Sequence, residues 1–358
     1  MRVDDIHPYY DIIFESEHNN TTISMIIPVL NAEKYVRKFI EHIKSERKLI
    51  VARNNIEFIF VDGGSRDETL NLILKYVAEE GLCGKVIYAK GADVSTSRNI
   101  GIELSKGEYI IFADIDDIPV LRGFIIASHY VKIYDADVAF GILVIFNEKG
   151  NVIYETPFEE LTRVSGKDLL LRIRRSYCYS YYKALDLRFQ QGLYRRRFLL
   201  RENIRFTPGA ISHEDFEFLI KVLLKASDVL IIPILTYIYF ATPTSIRFER
   251  FLNGLRTLER VCKLLDDIGW CYMMLLQDLS SVLDHYLCSK LIRFESDRKL
   301  QLFIQLNYDT LSTYYYIYLC HLMRFCLGEN YLSLDEAFKV LKTLLKYVLI
   351  RIFQYLKR

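Results

Sequence analysis

Between residues 23 and 113, short β-rich apolar runs alternate with helical stretches, which narrows the chain to parallel βαβ architectures. Residues 23–30 form the first run. Asn31 closes it and could cap the next helix, where Tyr35, Phe39 and Ile43 share a face. Residues 56–61 form a second strand ending in Asp62-Gly63-Gly64-Ser65-Arg66-Asp67, and Leu70, Ile73, Leu74 and Val77 mark a second helix. A third strand spans 85–89 and a third helix 95–104, with Ser95 and Ser97 as caps and Ser105-Lys106-Gly107 as stop. Residues 109–113 form a fourth strand. Sheets of this kind bind ligands outside the carboxyl ends of their strands. Three of those ends carry Pro28, Asp62 and Asp114.

The last of them opens Asp114-Ile115-Asp116-Asp117. Acids clustered at the end of a buried strand are costly unless a cation sits beside them. Oxygen ligands suit Mg²⁺ or Mn²⁺, ions that commonly carry a nucleotide's phosphates. On an extended segment Asp114 and Asp116 would point the same way. A capped turn is the bland alternative, but a cap needs one carboxylate rather than several.

Beyond Pro119 the pattern is mixed. Residues 136–146 and 152–154 read as a hairpin, 167–175 and 213–224 as helices, and 229–234 as a strand. Residues 1–22 read as a loose lead-in, and from about 251 the chain reads as almost entirely helical, which places a boundary near 248. In residues 337–358, apolar positions at helical spacing face Lys339, Lys342 and Lys346. Such a helix lies on an anionic membrane surface, or packs on its own domain or a second subunit as a homodimer contact.

Composition excludes several classes. A 51% hydrophobic content in 358 residues supports a sizeable core rather than disorder. A net charge of +2 argues against a strongly basic nucleic-acid binder. Seven scattered Cys without a CxxC argue for reduced thiols in a cytoplasmic protein rather than a disulfide framework or zinc site. The first residues lack the apolar core of a signal peptide, and no apolar run is long enough to span a bilayer.

Several segments, in order, resemble the family 2 glycosyltransferases: residues 26–35, 61–69, 91–101, 112–117 (Phe-Ala-Asp-Ile-Asp-Asp, similar to that family's DxD) and 212–216 (Ser-His-Glu-Asp-Phe). Residues 235–246 are similar to a further segment of its bacterial members. The resemblance implies an α/β GT-A (Rossmann-like) domain over 23–248, with a mixed, mostly parallel sheet flanked by helices. Its nucleotide half would be 23–117 and its acceptor half 118–248, followed by an all-helical domain over 249–358. It implies an inverting, metal-dependent enzyme that moves a sugar from a nucleotide-sugar donor to a glycan or lipid-linked acceptor. The enzyme would be cytoplasmic, with the inner membrane face as a peripheral location. Asp116 would bind Mn²⁺ or Mg²⁺. Asp114 would face the ribose or the metal's waters, with backbone around Pro28, Val29, Asn31 and Ile115 against the nucleoside. Asp62 would take the base N–H, and Gly63 would let backbone approach the ligand. The family often has two Asp where this chain has Asp62-Gly63.

Arg98 would pair with the base edge or pyrophosphate, or be a solvated surface arginine. Asp215 would be the base that takes the acceptor's proton, with Glu214 holding the acceptor. The residues alone read equally as acids at a helix start. Arg195, opening Arg195-Arg196-Arg197, is a candidate for the diphosphate or a solvated basic turn. His213 is an acceptor-side candidate or a local hydrogen bonder. Two rivals stand beside this reading. Nucleotidyl transfer would want a Gly-rich basic loop after the first strand, which residues 28–32 do not offer. A non-catalytic sugar-nucleotide scaffold would not need both Asp116 and Asp215.

Overall fold

The computed structural model describes residues 10–16, 21–49, 56–179, 187–210 and 212–241, together with Thr257, Arg260, Val261 and Leu264. The chain divides into two compact units, Met1–Ser245 and Ile246–Arg358. The helices read for the tail, including 337–358, lie outside the described residues apart from those four positions, which are helical.

The first unit is built on β2 (Ile23–Val29), β3 (Ile56–Asp62), β4 (Gly84–Tyr88) and β5 (Tyr109–Phe112). Their pairings β4–β3, β3–β2 and β2–β5 are parallel. Helices α1 (Glu33–Leu49), α2 (Thr69–Glu79) and α3 (Val94–Leu104) connect them. These strands are buried on both faces, which is why they read as continuous apolar runs. Val36, Phe39, Ile40 and Ile43 of α1 and Ile73 and Val77 of α2 pack into the same core.

The amino ends of these strands are tied by a buried acid. Glu57 accepts from Ser24 Oγ, from Lys106 N at 2.5 Å and from Gly107 N at 3.1 Å, and pairs with Lys85 Nζ at 3.4 Å. Those partners satisfy a carboxylate that would otherwise be costly so deep in the fold.

Antiparallel strands extend this centre on both sides. β1 (Asp11–Glu15) pairs with β4 from Asp11↔Tyr88 to Glu15↔Lys85, so the lead-in expected to be loose contributes an edge strand. On the other side come β6 (Ile118–Pro119), α4 (Leu121–Tyr134), β7 (Val138–Phe146), β8 (Val152–Glu155), β9 (Thr162–Val164), α5 (Gly166–Tyr179), β10 (Gly192–Arg195), α6 (Arg196–Arg201), α7 (Glu214–Lys225) and β11 (Val229–Phe240). The sheet order is β1-β4-β3-β2-β5-β10-β7-β11-β6. β7 and β8 form the expected hairpin, and β7 also runs parallel to β11.

Two arrangements position the site. β11 pairs with β6 through Tyr237↔Pro119 and Ile238↔Ile118, which lays the end of β11 against the acid cluster. Phe112, the last residue of β5, packs edge-on against Phe218 of α7 at 5.4 Å and against Phe206 at 5.3 Å. Phe206 and Phe218 stack at 4.0 Å. This buried aromatic cluster brings the first turn of α7 to the carboxyl end of β5.

Candidate active site

The first two strand ends are laced together. Asn31, at φ 49°, does not cap its own helix. Its N–H donates to Ser65 Oγ at 2.9 Å, and its Oδ1 accepts from Arg66 N at 2.9 Å. The open amides at the start of α1 are met from the neighbouring loop instead, by Thr69 Oγ1 on Ala32 N at 2.7 Å and Asp67 Oδ2 on Glu33 N at 3.3 Å. Asp62 is buried and accepts from Ser65 N at 3.0 Å and Ser65 Oγ at 2.6 Å, an Asx turn that shapes the loop.

Gly63 answers a protein contact. Its N–H donates to Val29 C=O at 3.0 Å, and a Cβ there would stand 2.6 Å from Ala92 C=O. Pro28 and Val29 stand beside Val61 and Asp62 in the β2–β3 register. At α3, Asp93 is the N-cap and accepts from Thr96 N at 2.6 Å, in place of the expected Ser95 and Ser97.

After β5 the acids form a turn rather than an extended segment, closed by Asp117 N–H to Asp114 C=O at 3.1 Å. Asp114 and Asp116 therefore do not share a strand face. Tyr237 clamps the turn: its hydroxyl accepts from Asp114 N at 3.1 Å and donates to Asp117 Oδ2 at 3.0 Å, while Phe240 N donates to Asp117 Oδ1 at 3.3 Å. Asp117 is buried, with its carboxyl pushed up to about 8 by burial and then by Asp114 and Asp116. Ile115 is buried beneath the turn, and Asp116 projects to solvent. Crowding by the surrounding protein and then Asp114 hold the Asp116 carboxyl above its ordinary range.

Asp114 is anchored on both oxygens, Oδ1 to Arg98 at 2.9 Å and Oδ2 to Gln190 Nε2 at 3.0 Å. Arg98 is 3% exposed and lies over the rings of Phe189 and Phe206 at 4.6 and 5.1 Å. Its other terminal nitrogen reaches Glu214 Oε1 at 3.3 Å. Burial alone would favour discharging this guanidinium, but Asp114 and then Glu214 more than reverse that and raise its pKa.

Glu214 and Asp215 open α7 behind His213, which sits at the N-cap with φ 61° and has Nδ1 2.9 Å from Ser212 Oγ. Burial and then Asp215 raise the Glu214 carboxyl, while Arg98 opposes them. One Asp215 oxygen accepts from Phe216 N at 2.7 Å. Two acidic centres, from strand ends and from a distant helix, thus meet at one guanidinium.

Residues 24–198 match the Glycosyl transferase family 2 model. The chain carries a family 2 glycosyltransferase domain. GlyG, a glycosyltransferase of Streptococcus pneumoniae serotype 4, is 29% identical over 134 residues, covering 37% of this chain and 42% of that protein. TarS of Staphylococcus aureus strain Mu50, a poly(ribitol-phosphate) beta-N-acetylglucosaminyltransferase, is 26% identical over 219 residues, covering 61% of this chain and 35% of TarS. The chain thus spans less than half the length of these curated relatives. The crystal structure of Staphylococcus aureus TarS 1–349 with UDP-GlcNAc aligns at TM-score 0.53 and 19% identity over 78% of each chain, which gives the domain its GT-A fold.

Arg195 lies outside this candidate site. It is buried at the opposite end of β5, opposite Tyr109 in register, on the order of 15 Å along the strand from Asp114. Its side chain donates to the carbonyls of Ala136 and Val131 at 2.9 Å each and pairs with Asp135 at 2.7 Å. It is neither a diphosphate ligand nor a solvated turn; it is a structural arginine whose partners are backbone carbonyls remote in sequence.

Among the described residues no three His, Cys, Asp or Glu side chains gather into a metal cage. Mg²⁺ and Mn²⁺ at nucleotide sites do not need one, because one or two carboxylates, phosphate oxygens and water complete their shell. Asp116 fits that role: its side chain faces solvent, burial and the like charge of Asp114 disfavour its bare anion, and it bears no hydrogen bond or ion pair from another residue among the described residues.

Tyr237 and Gln190 carry site functions that the sequence did not single out. Tyr237 sits in a segment similar to the family's bacterial members, but nothing local marks a Tyr or Gln as the partner of an acid turn. Removing the Tyr237 hydroxyl leaves the Asp114 amide and Oδ2 of the buried Asp117 carboxyl without that partner at once. Tyr237→Phe is therefore expected to destabilise the domain by about 1–3 kcal/mol, read as a lowered melting temperature.

Proposed function

We propose that this domain transfers a sugar from a UDP-sugar of the UDP-N-acetylglucosamine type to a hydroxyl of a glycan or lipid-linked acceptor, with inversion at the anomeric carbon. One observation carries the reading. The Asp114–Asp117 turn and the Glu214–Asp215 helix start stand on either side of Arg98, which bonds to both. Likeness to a TarS structure holding UDP-GlcNAc supports the donor class.

In this reading the laced loops around Val29, Asn31, Asp62 and Gly63 seat the nucleoside, and Asp114, fixed by Arg98 and Gln190, orients the ribose. Mn²⁺ or Mg²⁺ held by Asp116 would neutralise charge gathering on the departing diphosphate. Asp215 stands on the acceptor side, with a carboxylate oxygen beyond the one engaged by Phe216 N. It accepts the proton as the acceptor oxygen bonds to the anomeric carbon, and the C–O bond to phosphate breaks with its electron pair leaving on UDP. Glu214, braced by Arg98, fixes the acceptor's approach. No covalent enzyme intermediate is required.

The acceptor class is consistent with the basic amphipathic pattern of residues 337–358, which would bring a cytoplasmic enzyme to the inner membrane face. Among the described residues no helix is long and apolar enough to cross a membrane.

A thermal-shift screen of nucleotide sugars with and without Mn²⁺ tests the donor. A cognate UDP-sugar at 100 times its Kd adds about 2.7 kcal/mol to the folded state and raises the melting temperature. A panel in which no nucleotide sugar shifts melting would refute the reading.

A further inference from the structure

We infer that Asn99 is a positioning residue for the acceptor side: by fixing Phe206 it sets where the first turn of α7, with Glu214 and Asp215, stands. The inference rests on the proposed transferase reading and deepens it.

Phe206 is buried in the irregular segment 204–207, where neither a helix nor a strand ladder serves its backbone. Buried backbone groups need partners from elsewhere. Asn99 of α3 supplies them. Its side chain is buried, its Nδ2 donates to Phe206 C=O at 2.9 Å, and its Oδ1 accepts from Phe206 N at 2.9 Å. An asparagine suits that pair because its amide carries a donor and an acceptor side by side. Two further α3 side chains hold the neighbouring backbone: Glu103 pairs with Arg205, and Asp93, the helix cap, accepts from Gly209 N.

On its other side the segment grips α7. The Phe206 ring stacks on Phe218 at 4.0 Å, with 1° between the planes. Thr207 Oγ1 donates to Glu217 Oε1 at 2.6 Å, and Lys221 Nζ donates to Thr207 Oγ1 at 2.8 Å and to Arg205 C=O at 3.1 Å. Phe218 stands one helical turn beyond Glu214 and Asp215. A close-packed interior passes displacements on, so a shift of Phe206 moves that turn. Glu214 also reaches Arg98, the residue before Asn99, at 3.3 Å. Helix α3 therefore holds the start of α7 from two adjacent positions, and the acceptor-side acids inherit their placement from it.

The test uses the full chain with Asn99→Ala, Phe206→Leu and the pair, beside Val77→Ala, a cavity at a buried position of α2. Readouts are kcat, acceptor KM, donor Kd and melting temperature. Asn99→Ala is expected to lower kcat by roughly 10–10²-fold and raise acceptor KM while donor Kd holds, as misplacement of catalytic groups does. Phe206→Leu is expected to show the same split. The pair should be non-additive, because Asn99 acts through that ring. Val77→Ala also lowers the melting temperature but should keep wild-type kcat once folded. Wild-type kcat and acceptor KM in folded Asn99→Ala, a loss confined to donor Kd, additive losses in the pair, or an equal kcat loss in Val77→Ala would each overturn the inference. If Asn99→Ala does not fold, Phe206→Leu against Val77→Ala decides by the same split. Wild-type protein that neither binds nor turns over any nucleotide sugar would instead refute the transferase reading itself.

Discussion

Asp215→Asn is expected to lower kcat for sugar transfer by roughly 10²–10⁴-fold with little change in donor affinity. Asn keeps the shape of the side chain and an oxygen for the Phe216 N–H, so the start of α7 should remain intact. What it removes is the ability to take a proton. Glu214 cannot take over, because its Oε1 is engaged by the Arg98 guanidinium at 3.3 Å. Burial and then Asp215 raise its carboxyl. Loss of the Asp215 charge removes one cause of that elevation, so Glu214 in the variant should ionise at lower pH. Steady-state kinetics with donor Kd from calorimetry check the claim. A near-wild-type kcat in Asp215→Asn would place the base elsewhere.

Asp116→Ala should separate function from stability. Several kcal/mol of stabilisation of the departing diphosphate are at stake, which corresponds to a loss of roughly 10²–10³-fold in metal-dependent turnover. Folding should not suffer in the absence of metal. The Asp117 carboxyl is pushed up to about 8 by burial and then by the charges of Asp114 and Asp116. A carboxyl whose folded pKa lies above its unfolded value destabilises the fold once pH rises past the unfolded value. Removing one like charge lessens that penalty, so near neutral pH the melting temperature of metal-free Asp116→Ala should hold or rise while activity collapses. An Asp116→Ala protein that keeps full Mn²⁺-dependent turnover would contradict the assignment.

The parallel centre of the fold was legible because strands buried on both faces spell out continuous apolar runs, as Ile23–Val29 and Tyr109–Phe112 do. Edge and antiparallel pieces were not. Asp11–Glu15 is mostly exposed and lies within a polar stretch, and Gly192–Arg195 is short and exists by pairing with strands remote in sequence. Arg195 shows the limit clearly: a triple-arginine run carries no local sign that its first member is buried among carbonyls.

The acids of the site were visible, since Asp114, Asp116, Glu214 and Asp215 follow strand and helix boundaries that periodicity marks. Their geometry was not. The turn that sends Asp116 outward while burying Asp117 depends on Tyr237, 123 residues from Asp114, and the anchoring of Asp114 depends on Gln190, 76 residues away. Asn31 was expected to cap its own helix because the sequence shows only neighbours, whereas Thr69 and Asp67 reach that helix start from another loop.

Crystals grown with UDP and Mn²⁺ probe the strand-end acids most directly. The diphosphate should lie over the turn that follows β5, with an anomalous manganese peak beside the Asp116 carboxylate and the Asp215 carboxylate facing the open side of the β-phosphate. Nucleotide bound away from residues 114–117, or manganese found without Asp116 among its ligands, would contradict the assignment of this site.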